Sequence, residues 1–570
     1  MRTIFALFLS AFLLSACDAP KAPGPDAVAP DTVFTAEAVA ASEKITADDI
    51  RATVAEISSD AYEGRGPGSP GDAKARAYLA KELAAMGYKP AAADGGWEQP
   101  FALIGINSSQ PSSWTFTREG ESFALQQSEE FIVGSGVQAE RSTVEDGELV
   151  FVGYGIQAPE YDWDDFKGQD LTGKVLVMLN NDPDFDPELF EGERRLYYGR
   201  WMYKYQSAAR QGAVGAIIIH TTPSAGYPWQ VVQTSWTGEQ FELPAGDEPR
   251  LQMAAWVTED AARKVFTLGG QDMDALIESA KKRDFKPVSL NVRTSISFDN
   301  ALADTSSANV LGILEGSDPE LKKEVVVYTA HHDHLGIGLA DMNVNPDDRI
   351  YNGARDNASG SASVLAIARA IASLPERPRR SIMIAFVGAE EQGLLGSKYF
   401  ANNSPVPVGL IAGDINYDSM NIWGKTRDVA FVGLGKSSLD AVARQVADYQ
   451  GRELVGDQFP DKGIYYRSDQ FSLAIVGVPG LYVKGGTDFV GHSKEWGAEM
   501  VDAYTTRNYH QPSDELTDDW NFEGMLDDAR FGFWAGLIMA NADEKQAWYP
   551  GDEFEAARLK SLEALEALEQ

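Results

Sequence analysis

Between residues 324 and 418 the chain repeats one pattern, a short apolar run that ends on metal-type side chains. Residues 324–330 (EVVVYTA) are β-branched and apolar, and they deliver His331, His332, Asp333 and His334. After a Gly-punctuated loop, residues 353–360 (GARDNASG) open the apolar helical stretch SASVLAIARAIASL. Residues 381–389 (SIMIAFVGA) form a second buried-type strand ending on Glu390 and Glu391, and residues 409–417 a third ending on Asp418. Strands and helices in this alternation predict an α/β fold with a mixed, mostly parallel sheet and helices on both faces. In open sheets of that kind ligands gather beyond the carboxyl ends of the strands. Here successive strand ends carry ionisable side chains, so the fold is expected to be organised around what they bind.

A single core rarely grows past ~250–300 residues, so a chain of 570 residues is read as more than one domain. Its net charge of −36 excludes a nucleic-acid partner, because phosphate binding needs clustered Lys and Arg. The surface is read as soluble and self-repelling. The single cysteine, Cys17, closes a short N-terminal segment with a basic Arg2 and an apolar run over residues 4–14. That run is too short to span a bilayer and reads as a secretory signal. Leu-Ser-Ala-Cys at 14–17 resembles a bacterial lipobox, which implies a lipid anchor on Cys17 and a domain facing the periplasm. Asp18 resembles an inner-membrane retention signal in some lineages, which leaves the membrane leaflet open. Oligomeric state is not readable.

The expected organisation is a signal over 1–17 and a Pro/Ala-rich tether over 18–45. The first part of a catalytic domain follows over 46–144, with a helix from Asp72 to Gly87 that takes Asp72 as its N-cap. A block of short strand candidates over 145–298 reads as an inserted β-rich domain. Residues 299–545 complete the catalytic domain, and 546–570 form a helical tail with Leu559, Leu562, Leu565 and Leu568 at helical spacing.

Zinc catalysis uses His nitrogens and carboxylate oxygens with positions left open for water and substrate. The chain has six histidines, and three of them fall in 331–334 at a strand end. His332 points to the opposite side of an extended segment from His331, which suits packing or an outer hydrogen bond. His334 is expected to line the site, and His492 either contacts substrate or lies in a surface loop. Arg467 and Asp469 precede a buried run and are assigned no role. Rival chemistries are poorly represented. No HExxH or GxSxG motif occurs, the Ser279/Lys282 pair lies in a charged helical stretch, and Cys17 is the one thiol.

The blocks HHD, GARDNASG, GAEEQGLLGS, NYDSM and YHQPSD, in this order, resemble the metal-site blocks of the co-catalytic zinc exopeptidase family. That family includes bacterial leucyl aminopeptidases and glutamate carboxypeptidase-like enzymes. The resemblance covers residues 46–145 and 308–541, and the insert resembles the protease-associated domain found within the family. It implies two Zn2+ ions bridged by Asp356, one completed by His331 and Asp418 and the other by Glu391 and His510. It implies Glu390 as general base, Asp333 as the carboxylate that orients His331, and a cis Asp356–Asn357 bond. Tyr509 occupies the place of a carbonyl-binding Tyr in the glutamate carboxypeptidase branch, the alternative being a packed loop aromatic. The implied activity is an aminopeptidase acting on peptides. A carboxypeptidase or dipeptidase, a one-zinc glutaminyl cyclase and a non-catalytic receptor-like relative are the alternatives.

Overall fold

The computed structural model describes residues 33–339 and 347–569. The signal segment, Cys17 and most of the tether read from the sequence lie outside the described residues. Among the described residues no helix is long and apolar enough to cross a membrane.

The central sheet is built from β1 (Glu98–Ser108), β2 (Val288–Leu314), β3 (Val325–His331), β4 (Ser381–Val387), β5 (Ile411–Tyr417), β6 (Asp428–Val432), β7 (Glu453–Val455) and β8 (Gly480–Gly485). Its parallel core runs β4-β3-β5-β8, with β2 antiparallel to β4 on one side and β6 antiparallel to β8 on the other. This is the mixed, mostly parallel α/β sheet expected from the sequence. Every residue of β3, β4 and β5 is buried, which is why these strands read as continuous apolar runs. Val326, Tyr328 and Ala330 face helices Ala47–Ile57, Ser359–Ala372 and Glu523–Asn541. Val325 and Val327 face the opposite layer, where Phe400 and Leu473 pack. The β3/β4 register pairs His331 with Val387. The residues just beyond β3, β4 and β5 therefore emerge along one edge of the sheet.

The helix after the Gly/Pro loop is Pro70–Ala85, and Ser69 rather than Asp72 caps it, accepting from the Asp72 N–H at 3.1 Å. Proline at the first helical position suits that start, since its missing N–H would have no helical partner there. The Asp72 carboxylate is instead fully buried, 3.0 Å from His332 Nε2 and accepting from Ser307 Oγ at 2.9 Å.

Two boundaries differ from the sequence reading. Residues 33–45, assigned to the tether, are packed. Helix Ala36–Ser42 buries Ala38 and Ala41, and the Phe34 ring stacks on Tyr449 at 4.0 Å. Small Ala-rich helices carry little apolar signal, so composition alone made this segment look like linker. The insert also begins earlier than residue 145. A second sheet already includes the hairpin Ser113–Arg118 and Glu121–Gln126, and Trp114, Phe116, Leu125 and Phe131 lie in its core. The hairpin alternates buried and exposed residues instead of presenting an apolar run, which hid it. The two sheets share β2, whose residues 288–299 pair with Arg141–Phe151 and whose residues 300–310 pair with β1. The C-terminal helix Glu555–Glu569 lies against Gly409, where Ser561 and Leu565 leave no room for a side chain.

Candidate metal centre

The site forms where β3, β4, β5 and two loops meet. His331 ends β3, and its carbonyl accepts from Ser361 Oγ of the following helix at 2.9 Å. Asp356 sits on the turn that opens helix Ser359–Ala372, and the Asp356–Asn357 peptide is cis, as the resemblance implied. Asn357 ties that turn to the end of β5, donating to the Tyr417 carbonyl at 3.0 Å and accepting from the Ser419 N–H at 3.2 Å. The Asp356 N–H donates to Asp514 at 3.0 Å and the Arg355 N–H to the same carboxylate at 3.1 Å.

Asp356 divides the site. Its Oδ1 lies 3.3 Å from His331 Nε2, which is also 3.6 Å from Asp418 Oδ1. Its Oδ2 lies 3.5 Å from His510 Nε2, which is 3.0 Å from Glu391 Oε2. Glu390 stands on the cleft side, with Oε2 3.8 Å from His331 Nε2. Thus His331, Asp356, Asp418, Glu391 and His510 are brought together, with Glu390 beside them. Ligand atoms of His331, Asp356 and Asp418 lie within 4.8 Å of one another. Those of His334, Asp356 and Glu391 do the same.

The donor set fits zinc, being imidazole nitrogens and carboxylate oxygens. His510 Nε2 is buried without a hydrogen bond, which leaves its lone pair for a cation between Glu391 and Asp356. The electrostatics also call for positive charge. Burial pushes the Glu390 carboxyl well above the carboxylate range, and Glu391, Asp469 and Asp418 add to this while His331 opposes it. Burial alone would depress His510, but the Glu391 and Asp356 carboxylates raise it to about 10.

Other candidates fall in less expected places. Asp333 is 3.7 Å from His331 Nδ1, too far for a hydrogen bond. Its oxygens are taken up by the N–H groups of Glu390 at 3.0 Å and Glu391 at 3.4 Å. It positions the glutamate loop more directly than the imidazole. The Tyr509 ring stacks on His510 at 3.9 Å and lines the cleft. His492 is exposed and stacks on Trp496 at 3.7 Å, and it is not among the residues that line the cleft.

The profile of peptidase family M28 matches residues 309–528. The chain carries a peptidase family M28 domain. A curated relative, leupeptin-inactivating enzyme 1 of Streptomyces exfoliatus, is 30% identical over 176 residues, covering 30% of this chain and 38% of that protein. Aminopeptidase YwaD of Bacillus subtilis is 29% identical over 137 residues, 24% of this chain and 26% of its own length. The chain therefore spans well under half the length of these relatives. Among solved structures, the aminopeptidase from Aneurinibacillus sp. strain AM-1 shares the fold with a TM-score of 0.51 and 19% identity, over 90% of this chain and 97% of that one.

Three residues around the site, only one of them within the matched segment 309–528, had been given no role or only a loose one by sequence reasoning. His334 Nδ1 lies 2.6 Å from Glu391 Oε1, so Glu391 is held between two imidazoles. Fully buried Arg65 donates to the His332, Ile57 and Asn352 carbonyls at 2.7 Å and to that of Gly353 at 2.9 Å, tying together the loops that carry the ligands. Ser235, from the insert, lies with Oγ 2.7 Å from His510 Nδ1. The HHDH spacing pointed to His334, whereas no local motif marks Arg65 or Ser235.

Proposed function

We propose that the chain is a zinc-dependent exopeptidase of aminopeptidase type, acting on peptides with two Zn2+ ions. The observation that carries this is the Asp356 carboxylate, whose two oxygens face separate His-carboxylate pairs at 3.3 and 3.5 Å. His331 and Asp418 would hold one ion, His510 and Glu391 the other, with Asp356 between them. Zinc bound there supplies a Lewis acid that acidifies a water and polarises the scissile carbonyl.

The remaining chemistry belongs to the chain. Glu390 Oε2, on the cleft side, takes a proton from the attacking water and returns it to the leaving amine. Asp333 fixes the Glu390 backbone, so the carboxylate is presented from a braced loop. Burial first, then the surrounding carboxylates, push the Tyr509 phenol well above its ordinary range. Its hydroxyl therefore stays a donor, and we assign it the hydrogen bond to the carbonyl oxygen as negative charge develops there. The insert, which we read as a protease-associated-type domain, forms the opposite wall of the cleft. Anchoring through Cys17 on the periplasmic side belongs to the same proposal, supported by residues 1–17.

The test is a mass-spectrometric time course with a mixed peptide pool, with and without a chelator. A chelator-sensitive ladder from the N-terminus is expected. A C-terminal ladder would move the enzyme to the carboxypeptidase type. Ammonia loss from N-terminal Gln would indicate a cyclase, and inertness with zinc supplied would refute catalysis. Glu390→Gln should retain zinc and lose at least ~100-fold in kcat/KM.

A further inference from the structure

The central sheet does not end at β1. Strand Glu239–Glu242 returns from the insert, pairs antiparallel with residues 104–107 of β1 and becomes the outermost strand on that side. Among the described residues β1 is its one pairing partner, so its far edge carries no strand. Exposed edges are templates for pairing, and folded chains blunt them with short length, charge and proline. This edge is four residues long, begins and ends on glutamate, and is followed by Leu243 and Pro244. It discourages a long intruding strand and still leaves room for a short peptide.

In an antiparallel pair alternate residues bond to the partner, and those between them turn both N–H and C=O the other way. The Phe241 N–H donates to Gln392 Oε1 at 3.0 Å, which puts Phe241 in the outward set. Its carbonyl shares that direction. The acceptor comes from the glutamate loop, since Gln392 directly follows Glu390 and Glu391. A primary amide is the side-chain copy of a peptide group, so Gln392 stands where a carbonyl of an added strand would stand. The Phe241 ring packs with Leu395 and Ala389 of the same loop, which fixes edge and loop relative to each other.

Edge and chemistry share one space. The cleft, about 630 Å³ in volume, is lined by Gln240, Phe241 and Gln392 as well as by Glu390 and His510. From Glu390 the edge is two residues of loop and one glutamine side chain away, which about three residues of extended chain span. An exopeptidase that removes one terminal residue leaves the rest of the peptide in this cleft. Main-chain pairing to a sheet edge holds such a segment whatever its side chains.

We infer that strand Glu239–Glu242 binds the leaving segment of the substrate by main-chain pairing, with Phe241 as the anchor and Gln392 holding its N–H until a peptide displaces it. The inference rests on the peptidase reading and deepens it. The substrate class is peptides longer than two residues, bound extended, with little discrimination among side chains of the leaving segment. Binding exchanges one amide acceptor for another, so the Phe241 N–H is satisfied in both states.

The experiment uses the full chain loaded with zinc and measures kcat/KM for release of the first residue from pentaalanine. Three analogues carry one N-methyl group each, at residue 3, 4 or 5, which removes a main-chain donor and leaves the side chains alone. Ala-Ala, too short to reach the edge, is the reference. A loss of about tenfold or more at one of the three positions, mainly through KM, is expected, with its neighbours much less affected. Phe241→Pro removes the protein's donor at a place where proline fits, because edge strands accept it with that N–H outward. Phe241→Ala removes the ring and keeps the donor. The pentaalanine-to-dialanine ratio should fall about tenfold further in the Pro variant than in the Ala variant, and Gln392→Ala should raise it about threefold. Equal losses at all three positions, no loss at any, or Pro and Ala variants that act alike would overturn the pairing and leave the peptidase reading intact. Should the Pro variant not fold, the N-methyl series decides. If no peptide turns over, calorimetric binding of pentaalanine and its analogues decides the pairing separately. A loss confined to one N-methyl position supports it, and binding that is absent or indifferent to N-methylation overturns it.

Discussion

Ser235 Oγ of the insert lies 2.7 Å from Nδ1 of His510, so a residue outside the M28 domain orients one of its candidate metal ligands. For Nε2 to face the metal, Nδ1 carries the proton and donates it to the serine. Partners of this kind set the ring orientation and the basicity of the ligating nitrogen. Ser235→Ala should therefore weaken zinc binding by about 10–100-fold with the fold intact. Competition titration against a chromophoric chelator measures this, and an unchanged affinity would sink the assignment.

Asp356 is the shared element of the two half-sites. Asp356→Ala should lose both ions together, because each half would keep only two of its proposed protein ligands. Metal content by elemental analysis after gel filtration distinguishes the cases. Two ions retained per chain would refute the bridge.

Metal removal should also be felt as stability. The ligand carboxylates are crowded and buried, and a bound cation relieves their mutual repulsion. A ligand that binds the folded state stabilises it by about 2.7 kcal/mol when its concentration is 100 times its Kd. The midpoint of thermal unfolding should thus rise with free zinc and fall on chelation. A midpoint indifferent to zinc would show that the ions are not held by the folded site.

Arg65 satisfies four carbonyls in a place closed to water. The Gly353 carbonyl also accepts from the Ala358 N–H at 3.1 Å, but Arg65→Met would leave those of His332, Ile57 and Asn352 unpaired, and buried unsatisfied polar groups cost about 1–3 kcal/mol each. A loss of about 3 kcal/mol or more is expected from denaturant titration, accompanied by weaker zinc binding, since His332 and Gly353 flank the ligands. A loss under about 1 kcal/mol would mean that the loops hold without it.

Residues 33–45 should behave as part of the domain. Phe34 contacts Tyr449 at 4.0 Å and Trp534 at 5.0 Å between ring centres, and Ile45 is fully buried. A chain starting at residue 46 should be less stable than one starting at residue 33 by about 2–5 kcal/mol, the range for removing large buried side chains. Equal unfolding midpoints would restore the tether reading.

Much of this architecture was legible because of how parallel sheets are built. Strands covered on both faces need apolar residues at every position, so β3, β4 and β5 announced themselves, and the ionisable side chains at their carboxyl ends became the candidate site. Asp333 shows where such reading stops. Its place beside His331 pointed to a contact with the imidazole, but two backbone N–H groups from the loop after β4 compete for it and win. Asp72 was misplaced for a similar reason, since its capping propensity was real but His332 and Ser307 hold it from distant parts of the chain. Ser235 had no local signature at all. Its role exists only once the insert is folded over the strand ends, and nothing within a few residues of it encodes that approach.

Strand β2 spans 27 residues and, with register shifts between Ser289 and Ile296, contributes to both sheets. A wall joined to its neighbour by a paired ribbon cannot swing as it would on a loose loop. Widening the gap means bending or shearing a hydrogen-bonded ladder. The aperture is in that sense a fixed gauge, set by the ladder and not by a hinge.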